Sequence, residues 1–311
     1  MQRVEIQLQE SLKHPLTQIQ DMTQHLAAAG GKRLRPMLVA LCAGLGDQGV
    51  TDEVITAAVG VELTHLATLY HDDVMDSANT RRGVDSAQVI WGNNRAILAG
   101  DLIFARASQA IATLGPTAVM QHARTYERLC SGQINETFGP GINDDSIEFY
   151  LRVLADKTGS LVAQAARYGA ELGGASAVEV DAVADYGEKI GVAFQIADDV
   201  LDLMSDTEVS GKTPGTDLRE GVDTLPVLLL RRETDAAGRE ILGMLDSRNL
   251  DDDAVLADIV ARLRVHPVIE QTRQMALNWA DDAQAALVPL QNQQVRDALG
   301  EFADLLVNRV A

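Results

Sequence analysis

The chain of 311 residues carries 45 acidic and 26 basic side chains, for a net charge of −19. That charge argues against nucleic acid as a partner, since a phosphate backbone attracts basic surfaces, and it disfavours charge-driven binding to anionic membranes. The hydrophobic content of 46% is ample for a large core, and an aromatic content of only 4% favours helices over strands. The composition therefore predicts an all-α protein.

Neither a Pro/Gly/Ser-rich linker nor a break in composition divides the chain, so we expect one domain over residues 1–311. Two cysteines, Cys42 and Cys130, fit a reducing compartment without a disulfide framework. The N-terminus lacks the pattern of a signal peptide, and the longest apolar run, around residues 37–45, is too short to span a bilayer. We expect a cytoplasmic protein with no integral membrane segment.

Residues 1–29 predict two short helices around Pro15, and Gly30-Gly31 ends the second one. The segment Lys32-Arg33-Leu34-Arg35-Pro36 then opens a third helix, because Pro suits the first helical turn. Three cations at a helix N-terminus form a reasonable anion site, to which the helix adds partial positive charge. The alternative is a solvated basic loop. We favour phosphate binding because cations are scarce in this chain.

The next helix is long and is predicted from Val54 to Asp76, after a capping hydroxyl at Thr51. Its C-terminal end reads Asp-Asp-x-x-Asp, with Asp72 and Asp76 on one helix face. Like charges so placed repel each other. Mg²⁺, which binds carboxylates together with water and substrate phosphate, would remove that penalty.

A second Asp-Asp-x-x-Asp, at residues 198–202, ends a later helix that opens with the capping-box pattern Ser176-x-x-Glu179. A single such motif in an acidic protein is usually a solvated helix face. Here both copies lie among apolar residues, where unpaired carboxylates are costly. The pair therefore indicates metal ions that hold a phosphorylated ligand between the two motifs.

Basic and neutral side chains accompany the first motif. His65 lies seven residues before Asp72 and shares its helix face, although a lone histidine on an apolar face is more often a core residue. Residues 79–83 predict a loop in which Arg81 and Arg82 supply two forks suited to bidentate phosphate contacts.

Further helices are predicted over residues 95–114, 116–137 and 161–172, with an interruption at Asp156-Lys157-Thr158-Gly159 before the last of them. The polar loop 210–217 resembles a fragment of a nucleotide-binding P-loop but lacks the preceding strand and the first glycine, so we reject a nucleotide site there. Another helix begins at Thr224-Leu225-Pro226, and the remaining residues predict packing helices.

Taken together, these motifs resemble the trans-isoprenyl diphosphate synthase family, also called polyprenyl synthetases, over nearly the whole chain. The resemblance implies an all-α bundle of long, mostly antiparallel helices around a deep central cavity, usually as a homodimer. It implies a reaction that joins isopentenyl diphosphate head to tail with an allylic diphosphate, releases pyrophosphate and uses three Mg²⁺ ions. The resemblance rests on seven features of the sequence. They are Gly31-Lys32-Arg33-Leu34-Arg35-Pro36, Arg81-Arg82-Gly83, Lys157-Thr158, Phe194-Gln195, Gly211-Lys212, Thr224-Leu225-Pro226 and the twin aspartate motif.

The resemblance also implies roles for individual residues. The metal ligands would be Asp72, Asp76 and Asp198, with Asp73, Asp199 and Asp202 beside them. Isopentenyl diphosphate would bind Lys32, Arg35, His65 and Arg82. The allylic diphosphate and the leaving pyrophosphate would meet Arg81, Lys157 and Lys212, while Thr158 and Gln195 would offer oxygen dipoles to the allylic cation. No residue need act as the base, because the departing pyrophosphate can take the proton.

Two segments depart from the family pattern. The family often has a lysine shortly before Thr-Leu-Pro, where this chain reads Gly221-Val222-Asp223, so one diphosphate contact is in doubt. The family's Gly-Glu-x-x-Gln segment reads Gly132-Gln133-Ile134-Asn135-Glu136 here, with the polar pair exchanged. The sequence leaves the role of this pair open.

Small residues occupy Ala67 and Thr68, where short-chain family members often carry an aromatic plug. The bulky Tyr70 lies about 200° from Asp72 on a helical wheel and should point away. We therefore expect a product of six or more isoprene units, and a farnesyl- or geranylgeranyl-length product is the alternative.

Three other classes of protein compete with the synthase. A class I terpene cyclase would share the first motif, but its second motif usually mixes Asn, Ser or Thr with Glu. A non-catalytic subunit of a heteromeric synthase would tend to lose its aspartates, whereas this chain keeps all six. A Mg²⁺-dependent scaffold would explain the acids but not the matched cations.

Overall fold

The structure is a computed structural model that describes residues 1–204, 214–247 and 249–307. Helices dominate these residues, which confirms the all-α prediction, and none of the described helices is long and apolar enough to cross a membrane. The helices are α1 (Gln2–Ser11), α2 (Thr17–Ala28), α3 (Leu34–Cys42), α4 (Asp52–Met75), α5 (Ala87–Trp91), α6 (Asn93–Ala112), α7 (Pro116–Phe138), α8 (Ser146–Leu154), α9 (Ser160–Gly173), α10 (Ala177–Met204), α11 (Thr216–Arg219), α12 (Leu225–Leu230), α13 (Ala236–Ser247), α14 (Asp253–Arg264), α15 (Pro267–Ala286) and α16 (Gln293–Val307).

The chain forms two compact units. Unit 1 consists of residues 1–127, 161–187 and 287–298. Unit 2 consists of the described residues within 128–160, 188–286 and 299–307. A single domain over residues 1–311 stays a prediction.

Helix α4 is the central element of unit 1, and most of its residues are buried. It packs closely on α6 at two glycines, where a Cβ atom would lie 2.6 Å from Ile111 Cδ1 at Gly60 and 2.5 Å from His71 Nε2 at Gly100. An early residue of α4 thus meets a late residue of α6, so the two helices run antiparallel. The two glycines let the helices approach closely, and the contact at Gly100 lies against His71 near the C-terminal end of α4.

The predicted helix starts are present in unit 1. The side chain of Thr51 accepts a hydrogen bond from the Val54 amide at 3.3 Å at the start of α4. Before α10, the Glu179 carboxylate accepts from the Ser176 amide at 3.1 Å, while the Ser176 hydroxyl accepts from the Glu179 amide at 3.4 Å. These contacts confirm the capping interactions expected from the sequence.

In unit 2, the C-terminal part of α10 packs into an apolar core with α11 to α15. This packing buries one side of the helix that carries the second aspartate motif. The core residues are Ala197, Val200, Leu203, Leu218, Val227, Leu230, Ile241, Leu256, Ile259, Val260, Leu263, Val268 and Ile269.

The predicted loop after the first motif is instead a short antiparallel hairpin, formed by β1 (Thr80–Arg81) and β2 (Val84–Asp85). Its two turn residues both have positive φ, 55° at Arg82 and 78° at Gly83. Two positive φ angles are typical of the type I′ turn that matches the twist of a two-residue hairpin. This turn could not be predicted from the sequence, because Arg82 occupies the first turn position, where Asn or Asp is usual.

The interruption predicted before α9 is a change of helix type rather than a break in the helix. Residues Ala155–Gly159 form one π-helical turn that joins α8 to α9 without a break. Such turns are rare in proteins, and many of those that occur lie at functional sites. This turn carries Lys157 and Thr158.

Candidate active site

The first aspartate motif ends an accessible stripe on α4. His65, Thr68, Leu69 and Asp72 are partly exposed at helical spacing, whereas most of their neighbours on the helix are buried. Asp76 follows as the exposed C-cap residue. Carboxylates here meet the negative end of the helix dipole, which disfavours them unless a cation binds. The arrangement therefore favours a cation at this end of α4.

A cluster of basic side chains adjoins this stripe within unit 1. Burial lowers the pKa of His65 well below its usual value, and the charges of Arg35, Arg82, Arg81 and Arg33 lower it further. Both effects favour the neutral imidazole, which keeps one N–H that can donate a hydrogen bond to an anion. Lys32 is exposed. The structure thus brings His65 close to Arg35, Arg81 and Arg82. The sequence grouped His65, Arg35 and Arg82 but assigned Arg81 to the allylic diphosphate, and both assignments stay predictions.

Arg35 keeps unused hydrogen-bonding capacity. Its Nε atom is buried and has no hydrogen-bond partner in the part of the chain that the structure describes. Burial also lowers the pKa of this guanidinium. A buried donor without a partner is unfavourable, and an anionic ligand would satisfy it.

Arg82 is held by backbone oxygens. Its Nη1 donates to the Leu26 carbonyl at 2.7 Å and to the Gly30 carbonyl. A Cβ atom at Gly31 would lie 2.8 Å from Arg33 Nη1 and 3.0 Å from Arg82 Cζ. The predicted glycine pair thus does more than end α2, because it lets the backbone approach two guanidinium groups.

Arg33, the third predicted cation of the α3 start, has a different role. It has a left-handed backbone with φ 51° and its side chain is buried. Its guanidinium forms ion pairs with Glu5 at 2.6 Å and with Glu62 at 3.0 Å. Arg33 is therefore part of the protein interior rather than a solvated anion ligand.

The middle aspartate of the first motif is turned inward. Asp73 is fully buried, and its Oδ1 accepts from Arg81 Nε at 2.6 Å. Burial raises the pKa of Asp73, and the Arg81 charge opposes that shift. This contact links the hairpin to the end of α4 and places Arg81 beside the motif.

In unit 2, the middle aspartate of the second motif is likewise buried. The Asp199 carboxylate accepts from the Tyr150 hydroxyl at 2.7 Å and from the Leu225 amide at 3.3 Å. Leu225 is the first residue of α12, so the Thr-Leu-Pro segment presents a helix N-terminus to this acid. Burial raises the pKa of Asp199 well above its usual value.

The outer aspartates of the second motif are partly exposed. Asp198 and Gln195 lie one turn apart on the accessible face of α10. The Asp202 carboxylate accepts from the amides of Thr216 at 3.2 Å and Asp217 at 3.3 Å, at the start of α11. Asp202 therefore also anchors the segment that leads into α11.

Lys157, in the π turn of unit 2, donates to the carboxylate of Glu136. A Cβ atom at Gly132 would lie 2.9 Å from the Lys157 amide nitrogen, so α7 packs closely on this turn. Glu136 lies one helical turn after that glycine, on the same face. This packing gives the exchanged polar pair of the sequence a role, because its acid is the partner of Lys157.

The residues of both motifs fit Mg²⁺. Within the described ranges, no three His, Cys, Asp or Glu side chains are close enough together to hold a metal ion on their own. Mg²⁺ does not need such a cage, since one or two carboxylates with water and substrate phosphate suffice. Within unit 1 the end of α4 offers such carboxylates at Asp72 and Asp76, and within unit 2 α10 offers them at Asp198 and Asp202.

For some predicted site residues the structure supports less of the expected role. Lys212 lies outside the described residues. Ala67 is fully buried, so of the two small residues only Thr68 has an accessible side chain. Tyr70 points away from the motif as predicted, since its hydroxyl donates to the Met22 carbonyl on α2. Val222 is exposed, and the adjacent Asp223 pairs with Arg231.

Sequence reasoning missed Glu62, Tyr150 and Leu69, and it left the role of Glu136 open. Glu62 carried a usable signal, because an acid inside an apolar helical pattern requires a buried partner. Leu69 could have been found from its position one turn before Asp72 on the same helix. Glu136 and Tyr150 depend on contacts between distant segments, which spacing along one helix does not reveal.

Comparison with known proteins identifies the family of this chain. Residues 16–263 match the family model described as Polyprenyl synthetase. A nonaprenyl diphosphate synthase of Mycobacterium tuberculosis is 43% identical over 307 residues, which cover 99% of this chain and 91% of the relative.

Two solved structures are also similar over their length. Geranylgeranyl pyrophosphate synthase from Corynebacterium glutamicum, complexed with calcium and isoprenyl diphosphate, is 40% identical with a TM-score of 0.87, and the match covers 99% of this chain and 94% of that one. A decaprenyl diphosphate synthase from Rhodobacter capsulatus is 35% identical with a TM-score of 0.89, covering 100% and 96%. The chain therefore belongs to the polyprenyl synthetase family and is a prenyltransferase that makes polyprenyl diphosphates.

Proposed function

We propose that the protein condenses isopentenyl diphosphate head to tail with an allylic diphosphate and extends the product to six or more isoprene units. The observation that carries the proposal is the basic cluster of unit 1, where His65, Arg35, Arg81 and Arg82 adjoin the first aspartate motif. Anion-binding groups beside accessible carboxylates suit a diphosphate that arrives with a divalent metal. A terpene cyclase or a metal-dependent scaffold would not need this basic cluster in addition to the metal ions.

The isopentenyl diphosphate would bind Lys32, Arg35, Arg82 and the neutral imidazole of His65. These contacts position the double bond of the substrate, which is an orientation effect. The allylic diphosphate would meet Arg81 and Lys157, with Lys212 as a further cation. The oxygens of Thr158 and Gln195 would face the allylic cation, and exclusion of water would protect that cation.

Three Mg²⁺ ions would be held mainly by Asp72, Asp76 and Asp198. When bound, Mg²⁺ acts as a Lewis acid that stabilises the charge of the leaving pyrophosphate. Asp73 and Asp199 would act through their neighbours, because both are buried and bonded to protein groups. Arg81 and Lys157 would add positive charge where the pyrophosphate leaves.

A homodimer is part of this proposal. Exposed apolar side chains occur on the adjacent helices α5 and α6 in unit 1, at Val89, Ile90, Ile97 and Leu98. A second copy of the chain would cover them, as the family resemblance implies. A location in the cytoplasm stays a prediction of the sequence.

The long product rests on the accessible stripe of α4. Thr68 and Leu69 lie one turn before Asp72, and neither is aromatic. Relatives named above make products of different lengths, so the stripe and not the likeness carries this part of the proposal. The alternatives are a farnesyl- or geranylgeranyl-length synthase and a non-catalytic subunit.

Chromatography of the products tests the proposal directly. Purified protein, Mg²⁺, farnesyl diphosphate and labelled isopentenyl diphosphate should give products of six or more isoprene units. A product that stops at four units would contradict the long-chain part alone. No incorporation of label would contradict catalysis and favour the non-catalytic subunit.

A further inference from the structure

Glu62 is a buried acid in the middle of α4, three residues before His65. It is only 1% exposed, although it lies one turn before His65 on the same helix face. A carboxylate in such a place needs partners, since an isolated buried charge is strongly unfavourable. An anion would also repel a diphosphate. Glu62 therefore acts on neighbouring protein groups rather than on a substrate.

The neighbours of Glu62 are guanidinium groups. Its Oε1 lies 3.0 Å from Arg33 Nη1 and 4.0 Å from Arg82 Nη2. Burial lowers the pKa of Arg35 and of Arg82, and in both cases the charge of Glu62 is the largest opposing effect. One carboxylate thus compensates three cations that belong to two segments, the start of α3 and the hairpin.

These cations also repel each other. The charge of Arg82 lowers the pKa of Arg35, and the charges of Arg33 and Arg81 lower that of Arg82. Backbone carbonyls of residues 26–30 hold Arg33 and Arg82 on one side, but these carbonyls carry no net charge. Before any ligand is bound, Glu62 supplies the negative charge between the two side chains.

We propose that Glu62 is a positioning residue of the diphosphate site. Its carboxylate holds Arg33, at the start of α3, together with Arg82 of the hairpin. Arg35 and Arg82 are thereby ordered before isopentenyl diphosphate binds. The inference rests on the proposed function for the identity of this ligand. A rival role is possible for the same charge. If Glu62 only reduced the positive field, its removal would strengthen the binding of anions.

The test is calorimetric titration of isopentenyl diphosphate into Glu62→Gln, together with steady-state kinetics. Loss of the charge-assisted contacts should raise both the Kd and the KM for isopentenyl diphosphate about tenfold. The KM for the allylic substrate and kcat should change by less than about twofold, because the residue acts on a ground-state contact of one substrate.

Glu5→Gln is the matched control, because Glu5 also pairs with Arg33 but is partly exposed and has no contact with Arg82 among the described residues. It should leave the Kd within about twofold. Glu62→Asp keeps the charge but withdraws the carboxylate from Arg33, and it should raise the Kd at least about threefold. This variant tests the proposal if Glu62→Gln does not fold.

Three results would overturn the inference. Unchanged or tighter binding of isopentenyl diphosphate by Glu62→Gln would show that Glu62 only reduces the positive field. Wild-type binding by Glu62→Asp would show that the contact between the carboxylate and Arg33 is not required. An equal rise in both KM values, with a loss of thermal stability, would indicate a merely structural role. Inorganic pyrophosphate replaces the substrate as the probe if the wild-type protein shows no prenyl transfer, so failure of the proposed function remains distinguishable.

Discussion

The outer and middle carboxylates of each aspartate motif occupy different environments. Asp73 and Asp199 are buried and accept hydrogen bonds from Arg81 and Tyr150. Asp72 and Asp198 are partly exposed. Because a metal ion with its water and phosphate ligands needs access, the exposed members are the better candidates for ligands, and the buried members hold neighbouring groups in place.

Asp72→Ala and Asp198→Ala should each lower turnover by several orders of magnitude while the melting temperature changes little. Each change removes a metal ligand without removing core packing. Incorporation of labelled isopentenyl diphosphate measures the effect, and Asp21→Ala, at an exposed acid of α2, is the control. Near wild-type turnover in either motif variant would contradict the metal assignment.

The two predicted substrate pockets should separate kinetically at two lysines. Lys32→Ala should mainly raise the KM for isopentenyl diphosphate, whereas Lys157→Ala should lower kcat and weaken the binding of the allylic substrate. Ground-state contacts appear in KM, and contacts that strengthen in the transition state appear in kcat. Lys13→Ala removes the same charge at an exposed site and should change neither value. Identical effects at Lys32 and Lys157 would refute two separate pockets.

Among the secondary-structure elements, α4 has the largest influence on the site, because it carries both a buried and an accessible face. Its close contact with α6 at Gly60 and Gly100 fixes one side of the helix. Its accessible face carries Thr68 and Leu69, one turn before the first motif. A growing prenyl chain would run along this accessible face, so its side chains should limit product length.

Thr68→Phe should therefore shorten the product without abolishing turnover, because the ring would narrow the tail pocket and leave the metal ligands intact. Ala67→Phe is the informative comparison. Ala67 is fully buried, so a ring there must displace packed neighbours, and a lower melting temperature is expected. Product chromatography and thermal melting measure the two outcomes. An unchanged product from Thr68→Phe would exclude this face as the chain-length determinant.

At the scale of the whole molecule, acidity is the dominant property, with a net charge of −19. Carboxylates at the ends of α4 and α10 add local repulsion that the folded chain must tolerate. A ligand that binds only the folded state stabilises it by mass action, by about 2.7 kcal/mol at a hundredfold excess over its Kd. Metal and pyrophosphate together should therefore stabilise this fold.

Mg²⁺ with inorganic pyrophosphate should raise the melting temperature of the wild-type protein by about 5 °C. Mg²⁺ alone, or pyrophosphate with a chelator, should have a much smaller effect, because each ligand completes the site of the other. Differential scanning fluorimetry measures the shift without reference to turnover. The same shift in Asp72→Ala would show that the ions bind elsewhere.

The sequence by itself determined the helical fold class and most helix boundaries. Apolar spacing is a local property, so the long helix of the first motif and the capping interactions at Thr51 and Ser176 could be predicted. The motif residues at Asp72, Arg82 and Asp198 were equally visible, because each follows from residue type and spacing. The family and its reaction followed from these motifs and are confirmed by the comparisons.

Only the tertiary structure decided which acid faces which partner. The hairpin at Arg82-Gly83 and the π turn at Lys157 depend on contacts with other segments, which override local propensity. The pairing of Glu136 with Lys157 and of Glu62 with Arg33 joins residues about two or three dozen positions apart. The buried charge of Glu62 must be compensated wherever the chain brings a cation to it, and spacing along one helix carries no information about either pairing.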